Sequence, residues 1–353
     1  MSRELRCDAV VIGGGIIGSA VLFELTRRGL RAALVERGVV GQGCTAYSGG
    51  VVRVFHGDDQ LSDMAAEGHA YYRDFEAHTG EPCAFTRTGF LYFPSAAAHA
   101  SAKDRVARLS ARVPMQWWTG DRVREAFPDI REPAAAVFEP DAGHVNPSEV
   151  ARTFARVAMR RGGSVLTGTN VNRLVRSGGR FVGVDTSQGL LLADKTVVAL
   201  GANTPGFLDR QGVAHALWAQ RIQVDIRRGT RPRGEHPAWI DDVHDLNGRP
   251  HETDGLLVGC PTHDTDFRDG FTWGTSVHSE LIRHVGRRRF AWMDSTEFAG
   301  SLSSFDCYSR DGRGTVDYVD SARSLAVVSG FSGGGVKLAP TLARRISTTL
   351  TES

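Results

Sequence analysis

The sequence predicts an α/β fold with a central parallel sheet, and three observations carry that prediction. Residues Cys7-Asp8-Ala9-Val10-Val11-Ile12 are short, apolar and β-branched, as a fully buried strand requires. They run straight into Gly13-x-Gly15-x-x-Gly18 and a helical stretch from Ser19 to Arg28, stopped by Gly29 as its C-terminal cap. A second apolar strand, Ala32 to Val35, then ends in the acidic Glu36.

Strand, glycines, capped helix, second strand and terminal acid together form a dinucleotide-binding unit. Gly13 makes the tight turn, Gly15 lets backbone approach a pyrophosphate, and Gly18 lets helix and strand pack closely. The helix N-terminus offers free N–H groups and the positive end of a dipole to phosphate. Glu36 lies roughly 20 residues after the glycines, where an acid accepts ribose hydroxyls and repels a 2′-phosphate, which argues against NADP. The candidate contacts here are Gly13, Gly15, Ile16, Ile17, Gly18, Glu36 and Arg37. Ala9 to Phe23 carries no charge, yet the run of glycines, Glu24 and the charged start Arg3-Glu4-Leu5-Arg6 argue against a signal or membrane segment.

At 353 residues the chain is long enough for two domains. Its net charge of +2 gives no case for nucleic acid, and Arg283 with Arg287-Arg288-Arg289 reads as a solvated helix face. Five cysteines without a CxxC pair suit a reducing cytoplasm and supply no metal-site spacing, so no metal is expected.

Further along, Gly41-Gln42-Gly43-Cys44-Thr45-Ala46-Tyr47-Ser48-Gly49-Gly50-Val51-Val52-Arg53 is dense in glycine and small residues, a sign of backbone pressed close to something. This loop resembles the FAD-contacting loop of the D-amino-acid oxidase superfamily, to which sarcosine oxidase and glycine oxidase belong. The resemblance makes Gly43, Cys44, Thr45, Ser48, Gly49 and Gly50 cofactor contacts, and Arg53 the arginine that meets the substrate carboxylate. Tyr47 stands where some relatives carry a flavin-linked histidine, which argues against covalent attachment through this loop.

A helix is expected from about Leu61 to His78, a strand at Phe90 to Phe93, a surface helix within 94–113, and a helix capped by Ser148 and ended by Gly162-Gly163. Val165–Val171 and Val182–Val184 resemble the family's adenine-side strands, with Val171 a contact. Lys195 to Asn203 is a buried strand ending in a turn at Gly201 that closes over FAD in relatives.

The second strong resemblance is Leu325-Ala326-Val327-Val328-Ser329-Gly330-Phe331-Ser332-Gly333-Gly334-Gly335-Val336-Lys337, a strand, a glycine loop and a helix start. It is similar to the sarcosine oxidase pattern Gly-Phe-Ser-Gly-His-Gly-Phe-Lys. It implies flavin contacts at Gly330, Gly333, Gly334, Gly335, Val336 and Lys337, with Lys337 joining Arg53 on the substrate carboxylate. The resemblance implies a discontinuous Rossmann-type FAD-binding domain (1–85, 145–215 and 305–353) and an inserted antiparallel-sheet substrate domain (86–144 and 216–304).

Three departures bear on chemistry. The lysine that favours oxygen reduction in relatives is replaced by Thr272, within a strand read at Gly270 to Gly274. The histidine of the C-terminal loop is replaced by Gly334, and Leu256-Leu257-Val258 lacks the family's tyrosine. A site larger and less polar than one built for glycine is expected. Some relatives bind FAD through a cysteine; with Asp311 as register mark, Ser304 takes that position and Cys307 lies three residues late, leaving attachment there open.

His56 and His69 read as partly exposed, Asp241-Asp242 and His263-Asp264 as turns, and Trp117, Trp118 and Trp292 as packing residues. The implied activity is FAD-dependent oxidation of an amine or amino acid, with O2 or an electron-acceptor partner taking the electrons. The alternatives are a flavin enzyme of the same fold acting on a larger cyclic imine, peptide or aromatic intermediate with poor oxygen use, and a non-catalytic FAD-bound protein.

Overall fold

The computed structural model describes residues 5–229, 236–252, 254–269 and 273–352. In chain order the first elements are β1 (Leu5–Ile12), α1 (Ile16–Arg27), β2 (Ala32–Val35), α2 (Cys44–Tyr47), β3 (Val51–Val52), α3 (Asp59–Arg73), α4 (Phe75–Thr79), β4 (Thr86–Arg87) and β5 (Phe90–Phe93). There follow α5 (His99–Leu109), β6 (Gln116–Thr119), α6 (Gly120–Ala126), β7 (Ala135–Glu139), β8 (Gly143–His144), α7 (Pro147–Arg160), β9 (Ser164–Leu166), β10 (Val171–Ser177), β11 (Arg180–Thr186) and β12 (Gly189–Val198). The remainder is α8 (Thr204–Arg210), β13 (Trp218–Gly229), β14 (Ala238–Asp241), β15 (Leu246–His251), β16 (Gly255–Gly259), α9 (Ser276–Arg289), β17 (Thr296–Tyr308), β18 (Thr315–Tyr318), β19 (Leu325–Ser329) and α10 (Gly335–Thr351).

The first sheet runs β10-β11-β12-β1-β2-β9, with β19 also pairing β12 and β18 pairing β19. The pairings β9–β2, β2–β1, β1–β12 and β12–β19 are parallel, and Ile12 sits level with both Val35 and Val198. The carboxyl ends of three strands therefore line up, and the glycine turn lies at that edge, where α/β sheets bind ligands. Buried apolar residues on both sides of this sheet explain why β1 and β2 read as unbroken apolar runs. Helix α1 is buried almost throughout and packs against α7 and α10.

The second sheet runs β17-β13-β16-β15-β14-β5-β7-β6, antiparallel except for the parallel pair β14–β5. Its register sorts side chains by face. Phe90 opposes Glu139, Tyr92 opposes Ile240, Ile240 opposes Asn247, Arg249 opposes Leu257, Leu257 opposes Ile226, and Gln220 opposes Asp306. With strand alternation, Phe90, Tyr92, Glu139, Arg249, Leu257 and Asp306 share one face. The other face carries Leu91, Phe93, Trp239, Leu256 and Val258 and closes a core with Phe290 and Trp292. A small sheet, β3-β8-β4, adjoins the loop that carries Arg53.

Several local expectations need correction. The helix expected over residues 61–78 is two, α3 and α4, separated at Asp74. Asn146, not Ser148, caps α7: its Oδ1 accepts the Glu149 N–H at 3.2 Å, because Pro147 takes the first helical position, and Ser148 Oγ instead donates to the Gly41 carbonyl. Gly270, Phe271 and Thr272 lie outside the described residues, while Trp273 and Gly274 precede α9 without belonging to a strand. His56 and His69 are buried, at 8% and 2% exposure. Arg289 leaves the solvated face of α9 and pairs with the buried Asp241 at 2.7 Å, so Asp241 is no surface turn. No described helix is long and apolar enough to cross a membrane.

Candidate active site

At the carboxyl edge of the first sheet, Gly13 and Gly18 are sterically compelled. A Cβ on Gly13 (φ +105°) would stand 2.4 Å from the Ala199 carbonyl oxygen, and one on Gly18 only 2.0 Å from the Gly13 carbonyl oxygen. Gly15 takes the N-cap position of α1. The Ile16 N–H is held by Thr45 Oγ1 at 3.0 Å, while no protein acceptor takes the N–H of Gly15, Ile17 or Gly18 among the described residues. These free donors are an anion site at a helix N-terminus. Glu36 accepts the N–H of Gly14 and of Gly38, both at 2.7 Å, which fixes its carboxylate and leaves lone pairs for ribose hydroxyls. The Arg37 guanidinium is turned to Asp269, with one contact at 2.7 Å.

The loop after β2 bends over this edge. Gly43 (φ +64°) caps α2, and nothing lies within 4 Å of its Cβ position. Cys44 donates to the Phe305 carbonyl, and burial pushes its thiol up to about 12. Ser48 Oγ accepts the Gly50 N–H at 3.2 Å, Gly49 gives its carbonyl to Arg249, and Gly50 has no room for a side chain beside the Val145 carbonyl. Gly201 follows β12 with a positive φ, and Val171 opens β10. Gly330 and Gly333 also have positive φ, Gly334 caps α10, and no protein acceptor takes the N–H of Gly335, Val336 or Lys337 among the described residues. A flat dinucleotide cofactor fits this donor-lined, side-chain-free trough.

Arg53 and Lys337 meet beside it. Arg53 is 7% exposed, lies over the Phe90 ring at 5.0 Å, and has no partner for Nη1. Burial lowers its pKa, opposed by Glu139, Tyr92 and Asp242. Lys337 is 6% exposed, and burial together with the Arg53 charge brings it down to about 7, opposed by Asp306 and Glu139. Neither cation forms an ion pair within 4 Å among the described residues. The Lys337 backbone is clamped: a Cβ on Gly68 of α3 would fall 1.9 Å from its carbonyl oxygen, and Tyr72 Oη donates to the Val336 carbonyl at 2.8 Å.

Four acidic or aromatic neighbours escaped the sequence reading. Glu139 is 1% exposed and accepts the N–H groups of Val54 and Phe55 at 2.7 and 2.8 Å, anchoring the segment that follows Arg53. Burial raises its pKa against the pull of those N–H groups and Arg53. Asp306 lies near Gly333; burial raises it to about 6, opposed by the neighbouring Cys44 and by Lys337. Tyr92 donates to Asp242 near Arg53. A charge inside an apolar strand, as in Ala-Ala-Val-Phe-Glu and Ser-Ser-Phe-Asp, was the available signal for Glu139 and Asp306. His56 is held neutral, its pKa lowered well below 6.5 by burial and by Arg53 and Lys337. Cys307 is 4% exposed and packs among apolar residues of the first sheet's core, where burial raises its thiol to about 11.

The model of the family described as FAD dependent oxidoreductase matches residues 8–348. The 4-methylaminobutanoate oxidase (formaldehyde-forming) of Paenarthrobacter nicotinovorans is 27% identical over 355 residues, covering 96% of this chain but 43% of that protein, so this chain spans under half its length. Glycine oxidase of Geobacillus kaustophilus is 23% identical over 349 residues, covering 95% of this chain and 90% of that protein. Among solved structures, L-proline dehydrogenase from P. horikoshii shares the fold with a TM-score of 0.89 at 19% identity, over 99% of this chain and 94% of that one. With its glycine turns, its free helix N-termini and Glu36 all at one sheet edge, the chain belongs to the FAD-dependent oxidoreductase family.

Proposed function

We propose that this protein oxidises the C–N bond of an amine or amino acid that carries a carboxylate. One observation supports this above others: Arg53 and Lys337 are both buried, neither is ion-paired, and Arg53 Nη1 has no acceptor. A buried unpaired charge is costly, and two side by side are retained where an anionic ligand completes them. The carboxylate of the substrate is that anion, and its two contacts fix the orientation of the carbon bearing the amine.

FAD, when bound, supplies the hydride acceptor. The trough from Gly13 to Gly18 with Glu36 would hold its adenosine and pyrophosphate, and Gly335 to Lys337 would offer N–H donors to its ring. Glu139 holds the chain after Arg53, so that the guanidinium stays on Phe90 rather than swinging to solvent. His56, neutral and buried, adds no third charge against the substrate. As the hydride leaves the substrate C–H bond, the lone pair of the neutral amine nitrogen forms the C=N bond, and water hydrolyses the resulting iminium to a carbonyl compound and an ammonium or alkylammonium ion.

The test is anaerobic mixing of the purified flavoprotein with N-methyl amino acids and free amino acids, following flavin bleaching. Bleaching by a carboxylate-bearing amine, lost with its decarboxylated analogue, is expected. Bleaching equally fast with both analogues would remove the role given to Arg53 and Lys337. Admitting oxygen afterwards decides between an oxidase and a dehydrogenase that uses another acceptor.

A further inference from the structure

A third, half-buried cation stands on the same sheet face as the Phe90 ring that carries Arg53. Arg249 projects from β15 on the sheet face that also carries Phe90, Tyr92, Glu139 and Asp306. Its Nε donates to the Gly49 carbonyl, in the loop that leads to Arg53, and Nη1 donates to the Pro250 carbonyl at 2.6 Å. Both acceptors are neutral, and no carboxylate lies within 4 Å of it among the described residues. Burial alone lowers it to about 10, while His144 and His251 are lowered first by their own burial and second by the Arg249 charge. Strand β14 separates β15, which carries Arg249, from β5, whose Phe90 ring lies under Arg53, so the positive charge forms two separate points rather than one patch.

A monocarboxylic amine satisfies the first point and leaves the second empty. We propose that Arg249, flanked by His144 and His251, is a second anion subsite, and that the substrate is an amine or amino acid with two carboxylates. The inference rests on the amine-oxidation reading for its reaction, but not for its binding. The first carboxylate sits on Arg53 and Lys337, and the second reaches Arg249 across the sheet face, past β14. Arg249 supplies a planar fork with Nη2 left over after its two backbone contacts, and that fork suits a carboxylate.

The experiment uses the purified flavoprotein and two ligand pairs that differ in charge but hardly in size. Glutarate against its monoamide, read as perturbation of the flavin spectrum, tests binding without turnover. N-methylglutamate against N-methylglutamine, both enantiomers, read as anaerobic flavin bleaching, tests the substrate class. The diacid is expected to bind at least tenfold tighter than its amide, with R249M bringing that ratio near one and R249K preserving part of it. Equal binding of acid and amide by the unmodified protein overturns the proposal, as does a preference that survives R249M. A glutarate preference that depends on Arg249, without bleaching by any amine, would keep the subsite and refute the amine-oxidation reading instead.

Discussion

The charge on Lys337 makes carboxylate binding dependent on pH in a calculable way. Its pKa falls from an ordinary 10.5 to about 7, chiefly through burial and secondly through Arg53. The side chain is therefore a cation below about pH 7 and increasingly neutral above it, so affinity for a carboxylate must be highest on the acid side. Above pH 7 the dissociation constant should rise by up to about tenfold per unit. The rise stops once the contact is lost altogether; a hydrogen bond to a charged group is worth about 1.5–3 kcal/mol, which sets a ceiling of roughly 10- to 150-fold. Propionate, which has no amine to titrate, isolates this effect. Its affinity, read from the flavin spectrum between pH 6 and 9.5, should weaken through a midpoint at or above 7. In Lys337→Met it should be weak at low pH and nearly flat. A flat profile in the unmodified protein refutes the reasoning. A slope centred near pH 6 that survives Lys337→Met assigns the effect to Asp306, whose carboxyl is raised to about 6.

The same residue carries a stability signature of defined sign. A lysine with a lowered folded pKa burdens the folded state fully below about 7, and the burden fades as pH approaches 10.5, so urea unfolding should show Lys337→Met more stabilising at pH 6 than at pH 9, with a limiting gain of about 5 kcal/mol. Arg53→Ala should lower kcat/KM for a carboxylate-bearing amine by roughly 30- to 1000-fold, since a charged partner loses about 2–4 kcal/mol of contact; an unchanged kcat/KM would remove it from the site. Glu139→Ala strands two buried N–H groups and should cost about 2–5 kcal/mol in chemical denaturation, whereas a loss under about 0.5 kcal/mol would mean that water replaces the carboxylate. Arg289→Met should destabilise by about 3–5 kcal/mol because Asp241, fully buried, loses its guanidinium partner and keeps only His244 and the Val243 N–H; unchanged denaturation midpoints would show that those two contacts suffice.

The legible parts of this chain are those whose cause is local. The turn from β1 into α1 depends on Gly13, Gly15 and Gly18 within one short stretch, and the elements appear where the sequence puts them. Strand β16 likewise carries its own signature, five buried residues bounded by glycines. The acidic surroundings of Arg53 were not legible in the same way. Glu139 lies 85 residues from Val54, and the Arg249 contact spans 200 residues to Gly49. Which face each side chain takes depends on pairings that no local pattern encodes. Two misreadings did have a local remedy. Asn146-Pro147 is a cap followed by a residue suited to the first helical position, and helical spacing aligns Arg289 with the buried Ile282 and Gly286. For His56 and His69, burial follows from tertiary packing alone, and their flanking residues gave no sign of it.

The position of β12 between β1 and β19 has a consequence for how this protein is made. A ribosome delivers β1 and β2 long before residues 189–198 exist, and the nascent chain meanwhile presents an apolar strand with one unpaired edge. The glycine loop before α10 is translated later still, so the phosphate-binding turn and the lysine it serves meet only when nearly all the described chain has emerged. Cofactor capture must then be a late event, and cells starved of flavin should accumulate a species whose first sheet is vulnerable to aggregation and proteolysis.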